Sequence, residues 1–365
     1  MSYPRPARMS FLDRWLAAWI LLAMAAGLLI GRMVPAVEPF LSALEIGDIS
    51  VPIALGLLVM MYPPLAKVRY DKASEITSDR RLMVVSLILN WVVGPAFMFF
   101  LAWTFLPDEP ELRTGLIIVG VARCIAMVLI WSDLSCGDRE ATAVLVAINS
   151  VFQVIMFGVL GWFYLQVLPS WLGLQSVAAE FSFWAIITSV LVFLGIPLLA
   201  GVLSRVLGEK IKGREWYEQK YLPAISPLAL IGLLYTIVLL FALQGDQITQ
   251  NPWTVARLAM PLLSYFVGMF FISLLVSKAA QINYARSASV SFTAAGNNFE
   301  LAIAVAIATF GASSGQALAG TIGPLIEVPV LVGLVYVMLW LGPKLFPSDP
   351  TVPMPDRHTS ATTSV

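Results

Sequence analysis

Histidine is almost absent. The one copy among 365 residues, His358, lies in a polar stretch near the C-terminus, so imidazole acid–base or metal chemistry within the apolar part of the chain is excluded. Cysteine is nearly as scarce: Cys124 and Cys136 are too few for a disulfide framework or a multi-thiolate zinc site. Charged side chains make up only 12% of the residues and are balanced, 22 basic against 22 acidic, so no net field favours nucleic acid. No cofactor is expected. No histidine or aspartate falls within a predicted span, so the nucleophile–base or aspartate pair of an intramembrane enzyme is missing.

What the chain has in abundance is apolar surface. Apolar residues reach 59% and mean hydropathy is +0.85, values typical of a helical protein that crosses the bilayer several times. Runs of roughly bilayer length fall at 15–31, 49–66, 82–105, 115–131, 141–168, 182–207, 222–243, 255–276, 287–310 and 320–342. They predict an all-α polytopic membrane protein with ten transmembrane helices. The basic N-terminal stretch leads straight into the first run without a small-residue cleavage site, so it is read as retained.

Loop charge tests this map. Arg5, Arg8, Arg14, Lys67, Arg69, Lys72, Arg80, Arg81, Arg139, Arg205, Lys210, Lys212, Arg214, Lys220, Lys278, Arg286, Lys344 and Arg357 fall on one side, and only Arg32, Arg113 and Arg257 on the other. The skew predicts a cell-membrane protein with both termini cytoplasmic. Two long basic loops, Lys67–Arg81 and Arg205–Lys220, stand in matching places and divide the chain into five-helix repeats at 15–168 and 182–343. Five is an odd number of crossings, so the second repeat must be inverted, which puts a site near the midplane. Residues 1–14 read as a cytoplasmic N-terminus and 348–365 as a disordered cytoplasmic tail.

The run from Ser287 to Phe310 carries the sharpest signal. Gly296, Asn297 and Asn298 fall near its middle and Glu300 follows. These are poor helix-interior residues, and in hydrocarbon a freed backbone is tolerated only where it lines a protein cavity. The ninth span is therefore predicted to be discontinuous, its second half capped by Asn298 with Glu300 near the positive helix end. The fourth span holds Arg123 and Cys124 at a matching depth. Glu327, bracketed by Pro324 and Pro329, lies in the tenth. Those prolines should loosen the helix near the carboxylate. Arg123, Glu300 and Glu327 are the charges placed well within predicted hydrocarbon, where ionisable groups are functional candidates.

Each candidate has a plainer reading. Cys124 can be a small core hydrophobe, or a soft ligand whose thiolate the neighbouring Arg123 favours. Arg123 can neutralise Glu300 or Glu327, or contact substrate. Glu300 can be a carboxylate settled by the helix dipole, or take part in coupling. Glu327 lacks a local cation and suits proton coupling. Asn297 and Asn298 can merely break the helix, or also face the cavity and bond substrate. Cys136, in a polar loop, reads as incidental.

The runs LGLLVMMYPPLAKVRY, GVARCIAMVLIWSDLSCGD, FTAAGNNFELAIAVAIATFG and GPLIEVPVLVGLVYV resemble those of the arsenite-efflux permeases of the bile-acid/sodium symporter superfamily. The resemblance covers all but the ends of the chain. It implies two inverted five-helix repeats with discontinuous fourth and ninth helices, a panel built from helices 1, 2, 6 and 7, and a core built from helices 3–5 and 8–10. It also implies that Cys124 and Glu327 match the required cysteine and glutamate. A sodium-binding glutamate of the bile-acid branch is replaced here by Thr293, which fits proton rather than sodium coupling. The function implied is export of arsenite from the cytoplasm by proton antiport, with antimonite a second candidate cargo. Arsenic(III) would bind transiently at Cys124, with Arg123, Asn297, Asn298 and Thr293 also binding substrate and Glu327 and Glu300 coupling protons. Sodium-coupled symport of an organic anion is the alternative.

Overall fold

The computed structural model describes residues 15–34, 36–46, 49–68, 79–125, 127–174, 183–250 and 252–353. Arg5, Arg8, Arg14, Arg69, Lys72, Arg357, His358 and the tail beyond residue 353 lie outside the described residues. Apart from a two-residue antiparallel pair, β1 (Glu45–Ile46) with β2 (Ile49–Ser50), the described regular structure is helical. The helices are α1 (Leu16–Met33), α2 (Val37–Ala43), α3 (Val51–Lys67), α4 (Arg80–Phe105), α5 (Pro110–Val121), α6 (Val128–Leu134), α7 (Arg139–Trp171), α8 (Trp184–Lys212), α9 (Arg214–Leu243), α10 (Pro252–Ala279), α11 (Tyr284–Ala295), α12 (Phe299–Phe310) and α13 (Gly315–Leu345). Six of them, α4, α7, α8, α9, α10 and α13, are long and apolar enough to cross a membrane, and α1, α3 and α12 are shorter apolar helices. The chain is a multi-pass helical membrane protein.

Two sets of contacts organise the helices. α1 and α3 lie along α9, and α8 lies along α3. A side chain on Gly31 would collide with the backbone of Ala242, so the bare backbone there is what lets α1 and α9 touch. The second set joins α4, α5, α7, α10, α11, α12 and α13, with α8 also reaching α7 and α12. Its interior is closely filled: Tyr265, Phe266, Met269 and Phe270 of α10, and Val290 and Phe292 of α11, have no exposed surface. Many large apolar side chains point outward instead, such as Phe100, Ile155, Leu199 and Trp340, as a lipid-facing surface requires.

The ends of this second set are tied by polar groups. Asp79 and Asp138 each cap a helix with one carboxylate oxygen, accepting from Leu82 N in α4 and from Glu140 N and Ala141 N in α7. Each offers its other oxygen to Arg286 of α11, at 2.7 and 3.2 Å. Beneath this knot, the hydroxyls of Ser132, Thr142 and Ser289 bond to one another across α6, α7 and α11, at 2.7 Å and 2.8 Å along the chain of contacts.

Several expectations are modified. Pro324 and Pro329 do not interrupt α13, which runs unbroken through both. Each proline still removes an N–H, so the carbonyls of Gly320 and Leu325 lose their helical donors. Arg113 and Arg205, placed in loops or at span ends by the sequence, are buried within protein. Arg113 donates to the carbonyls of Leu106 and Pro107 and stacks on Trp103, while Arg205 pairs with Glu209 at 2.6 Å. The polar C-terminal stretch, expected to be disordered from residue 348, begins with an ordered piece. Asp349 accepts from Tyr284 N, and Thr351 Oγ1 accepts from Ala285 N at 3.2 Å, so this piece satisfies the free N–H groups at the start of α11. Burial pushes the Asp349 carboxyl up, but hydrogen bonds from Thr351 and the Tyr284 backbone outweigh it and hold it below the usual carboxylate range.

Candidate functional site

Two helices stop in mid-course, and their loose ends meet. α5 ends at Val121 and α6 begins at Val128; α11 ends at Ala295 and α12 begins at Phe299. The second break falls where Gly296, Asn297 and Asn298 predicted it. Asn298 caps α12 as expected, its Oδ1 accepting from Leu301 N at 3.0 Å. At the crossing, Arg123 and Asn297 pair as a short antiparallel bridge. Asn298 N donates to Ala122 O at 3.1 Å. Asn297 Nδ2 donates to both Val119 O at 2.8 Å and Ala122 O at 3.1 Å. The backbone groups freed by one break are thus satisfied by the other, which is how non-helical chain survives at this depth.

Cys124 and Glu327 meet at Gly296. An added Cβ there would lie 3.1 Å from Cys124 Cβ, 3.3 Å from Cys124 Sγ and 3.2 Å from Glu327 Oε1. Glycine is favoured by this close approach rather than by backbone angle, since φ −76° and ψ 152° suit any residue. Glu327 Oε1 also accepts from Asn297 N at 3.1 Å, tying α13 to the break. Both side chains are buried, at 2% and 4% exposure. The three spans that the sequence singled out do converge here.

Arg123 does not neutralise either carboxylate. No salt bridge joins it to Glu300 or Glu327 among the described residues. Its guanidinium donates to Tyr265 Oη at 2.7 Å and to Gly120 O, and it lies against Gly94. Its backbone N–H donates to Gln153 Oε1. Tyr265 Oη in turn donates to Ala294 O at 3.4 Å, next to the second break. The cation therefore joins α5, α10 and α11. The Thr293 hydroxyl donates to Ser289 O of its own helix at 2.6 Å.

A cavity of about 170 Å³ adjoins the two breaks. α3 and α9 wall it with Met60, Met61, Ser226 and Leu230, and the breaks contribute Ile125, Met127, Asn298 and Glu300. Cys124 and Glu327 are not among its lining residues, whereas Glu300 is. Several buried polar atoms at the crossing have no partner: Asn298 Nδ2, Asn297 Oδ1, Arg123 Nε and Gln153 Nε2. The two asparagines divide the work. Asn297 spends its donors on the neighbouring break, whereas Asn298 keeps its amide donors while lining the cavity.

Gln153, Tyr265 and the methionines were not foreseen. Gln153 and Asn149, four residues apart in an apolar helix, are the one sequence signal that could have pointed to the Arg123 environment.

Residues 54–251 match the Sodium Bile acid symporter family. The chain belongs to this family. Its members are transporters, and the chain is therefore a transporter rather than an enzyme. It is 78% identical, over 98% of its length and 96% of the relative's, to the arsenical-resistance protein Acr3 of Corynebacterium glutamicum. It is 34% identical to an uncharacterized transporter of Synechocystis, over 94% of this chain and 92% of that one. It is 32% identical to the arsenical-resistance protein Acr3 of Alkaliphilus metalliredigens, over 90% of this chain and 92% of that one.

Proposed function

We propose that the chain exports arsenite from the cytoplasm across the cell membrane in exchange for protons. The observation that carries this reading is the meeting of a thiol and a carboxylate, Cys124 and Glu327, at Gly296 between two broken helices. Two relatives named as arsenical-resistance proteins support the cargo. Arsenous acid is a small, largely uncharged trihydroxide near neutral pH. It enters the cavity against Asn298 and Glu300, one offering amide donors and the other accepting from its hydroxyls. Cys124 then forms a single arsenic–sulfur bond, the thiol proton and one hydroxyl leaving together as water, and the return of water breaks that one bond and releases the cargo. Glu327 couples the step. Ionised, it holds Asn297 N and keeps α13 against the break; a proton from outside weakens that tie and favours release. Glu300 passes protons between cavity and break. Arg123 serves substrate from behind, by fixing the geometry of the crossing through Tyr265.

The architecture proposed is ten spans in two inverted repeats, 15–168 and 182–343, with both termini cytoplasmic. α1, α3, α8 and α9 form the panel and the other long helices the core, so the cavity lies between two bodies that move relative to each other. Antimonite shares the arsenite geometry and is a further cargo. The alternative, sodium-coupled uptake of an organic anion, is less well supported. A cavity of about 170 Å³ is smaller than the ~300–1,000 Å³ that drug-sized ligands occupy. Thr293 offers no carboxylate to a cation.

Everted membrane vesicles test this. Radiolabelled arsenite should accumulate when the interior is acid, and accumulation should vanish when the proton gradient is collapsed but persist without sodium. Cys124→Ser should abolish accumulation while inserting normally. Uptake that follows the sodium gradient instead would replace this reading with the alternative.

A further inference from the structure

The helices that lead into the two breaks are short. α5 and α11 have 12 residues each. At ~1.5 Å per residue that is about 18 Å, too little to span a hydrocarbon layer ~30 Å thick, so lipid cannot set how far either one reaches in. Contacts within the protein have to do so, and each helix is tied at both ends. At the ends near the breaks stands Tyr265 of α10. It accepts from the Arg123 guanidinium just past α5 and donates to Ala294 O in the last turn of α11. At the far ends stand arginine–carboxylate pairs. Arg286, in the first turn of α11, joins Asp79 and Asp138. For α5 the arginine comes from the other side: Arg257, near the start of α10, grips the residues just before α5. One terminal nitrogen of Arg257 donates to Asp108 Oδ2 at 3.0 Å and reaches Glu109 Oε1 at 3.5 Å, and the other donates to Asp108 Oδ1.

α10 lies along α4, α11 and α13. It meets the two ends of α5 by side chains: Arg257 at the far end and Tyr265, two turns further along α10, at the near end. Arg113 and Glu111 also act at the far end. Arg113 holds the carbonyls of Leu106 and Pro107, and Glu111 accepts from Gly315 N at 3.2 Å. Neither belongs to the helix that holds the near end as well. The plain reading of Arg257 is a surface ion pair of small weight, since its side chain is 23% exposed and that of Asp108 63%. What sets the pair apart is its place.

We propose that Arg257 is a positioning residue for transport: together with Tyr265 it makes α10 a splint that fixes how far α5 reaches in, and hence where Cys124 stands beside Gly296. This rests on the reading of Cys124 as the cargo contact and adds what holds that thiol in place. Cys124 comes three residues after the end of α5, so a slide of α5 by one residue would carry the thiol ~1.5 Å along the helix axis. Misplacement of that size at a reacting atom is costly.

Two variants test it. Arg257→Gln removes the charge. The exchange of Asp108→Arg with Arg257→Asp restores a pair of opposite sense, at a place where α5 has no side-chain cap to lose. Membrane vesicles containing the full-length protein supply two readouts: the rate at which N-ethylmaleimide alkylates Cys124, followed by peptide mass spectrometry, and the KM for arsenite uptake. In Arg257→Gln alkylation of Cys124 should quicken about two- to fivefold, the factor by which loss of an exposed ion pair shifts an equilibrium. The KM should rise while the maximal rate per inserted protein holds. The exchange should return both quantities to native values. Cys136, the other buried thiol, is the internal control, and its alkylation should keep the native rate. An unchanged rate at Cys124 or an unchanged KM in Arg257→Gln would overturn the proposal, as would a change that the exchange fails to repair. Equal quickening at both thiols would make Arg257 a general brace and overturn the positioning role. If Arg257→Gln is lost from the membrane, Arg257→Lys, which keeps the charge and loses the two-point grip, carries the same measurements. Native vesicles that take up no arsenite would overturn the arsenite reading, and the alkylation rates alone would then decide whether Arg257 sets the place of Cys124.

Discussion

A methyl group at position 296 separates the two roles that glycine could have there. In Gly296→Ala the backbone is not the difficulty, because φ −76° and ψ 152° lie in the extended region open to alanine. On that ground alone the substitution should stabilise by about 0.4–1 kcal/mol, by narrowing the unfolded ensemble. The new Cβ, however, would stand 3.1–3.3 Å from Cys124 and 3.2 Å from Glu327 Oε1. Overpacking of this kind costs about 1–3 kcal/mol unless neighbours move by a few tenths of an ångström. The two effects partly cancel, so stability in detergent should fall by no more than ~2.6 kcal/mol. Transport should fall far more, because the neighbours that must move are the thiol and carboxylate to which the proposed function assigns cargo contact and proton coupling. The assay is paired: thermal unfolding of the purified protein, and arsenite uptake by vesicles containing equal amounts of it. Native uptake by Gly296→Ala would show that the close approach of Cys124 and Glu327 is packing without function. A large drop in melting temperature would show that the crossing cannot absorb the methyl and would move the lesion from transport to folding.

Glu327→Gln keeps the shape but cannot carry a proton; uptake should persist down a concentration gradient and lose its response to pH, and an unchanged pH response would assign coupling to another group. Tyr265→Phe removes the hydroxyl that accepts from the buried Arg123 guanidinium, which should cost ~1.5–3 kcal/mol as a hydrogen bond to a charged group. Chemical or thermal unfolding that matches the native protein would show that the phenol is dispensable. Asp349 contributes to pH-dependent stability: its folded-state carboxyl is held below the unfolded range, so the contribution is present above the unfolded value and lost as pH falls through the folded one. Asp349→Asn should therefore flatten the acid side of the stability profile and leave the neutral side lower, and identical acid limbs would remove Asp349 from that role.

Local chemistry decided what could be read before the structure. Gly296, Asn297 and Asn298 within an apolar run announce a break, because each weakens a helix by its own covalent nature. Glu327 and Arg123 stand out for the same reason, as charges where charges are costly. The partners of Arg123 were not legible: Tyr265 is 142 residues away and Gln153 is 30, and a pairing with Glu300 or Glu327 was as compatible with the sequence. The cavity was hidden too, because it belongs to the fit between helices distant in sequence rather than to a motif. Run lengths set helix positions well but not their ends: the last run, read as 320–342, continues as helix from Gly315 to Leu345. Hydropathy measures what lipid accepts, whereas the helix continues as far as its backbone bonds are satisfied.

The mutual bonding of the two breaks has a practical consequence for anyone redesigning the carrier. Asn297 and Asn298 grip Val119 and Ala122, so a strain applied through α5 and one applied through α11 reach the same joint. Under the export mechanism proposed above, a movement of either break carries the other with it. Capture and discharge of cargo then cannot be tuned separately by editing the crossing, and independent adjustment has to be sought on α3 and α9, which meet the cavity without belonging to the joint.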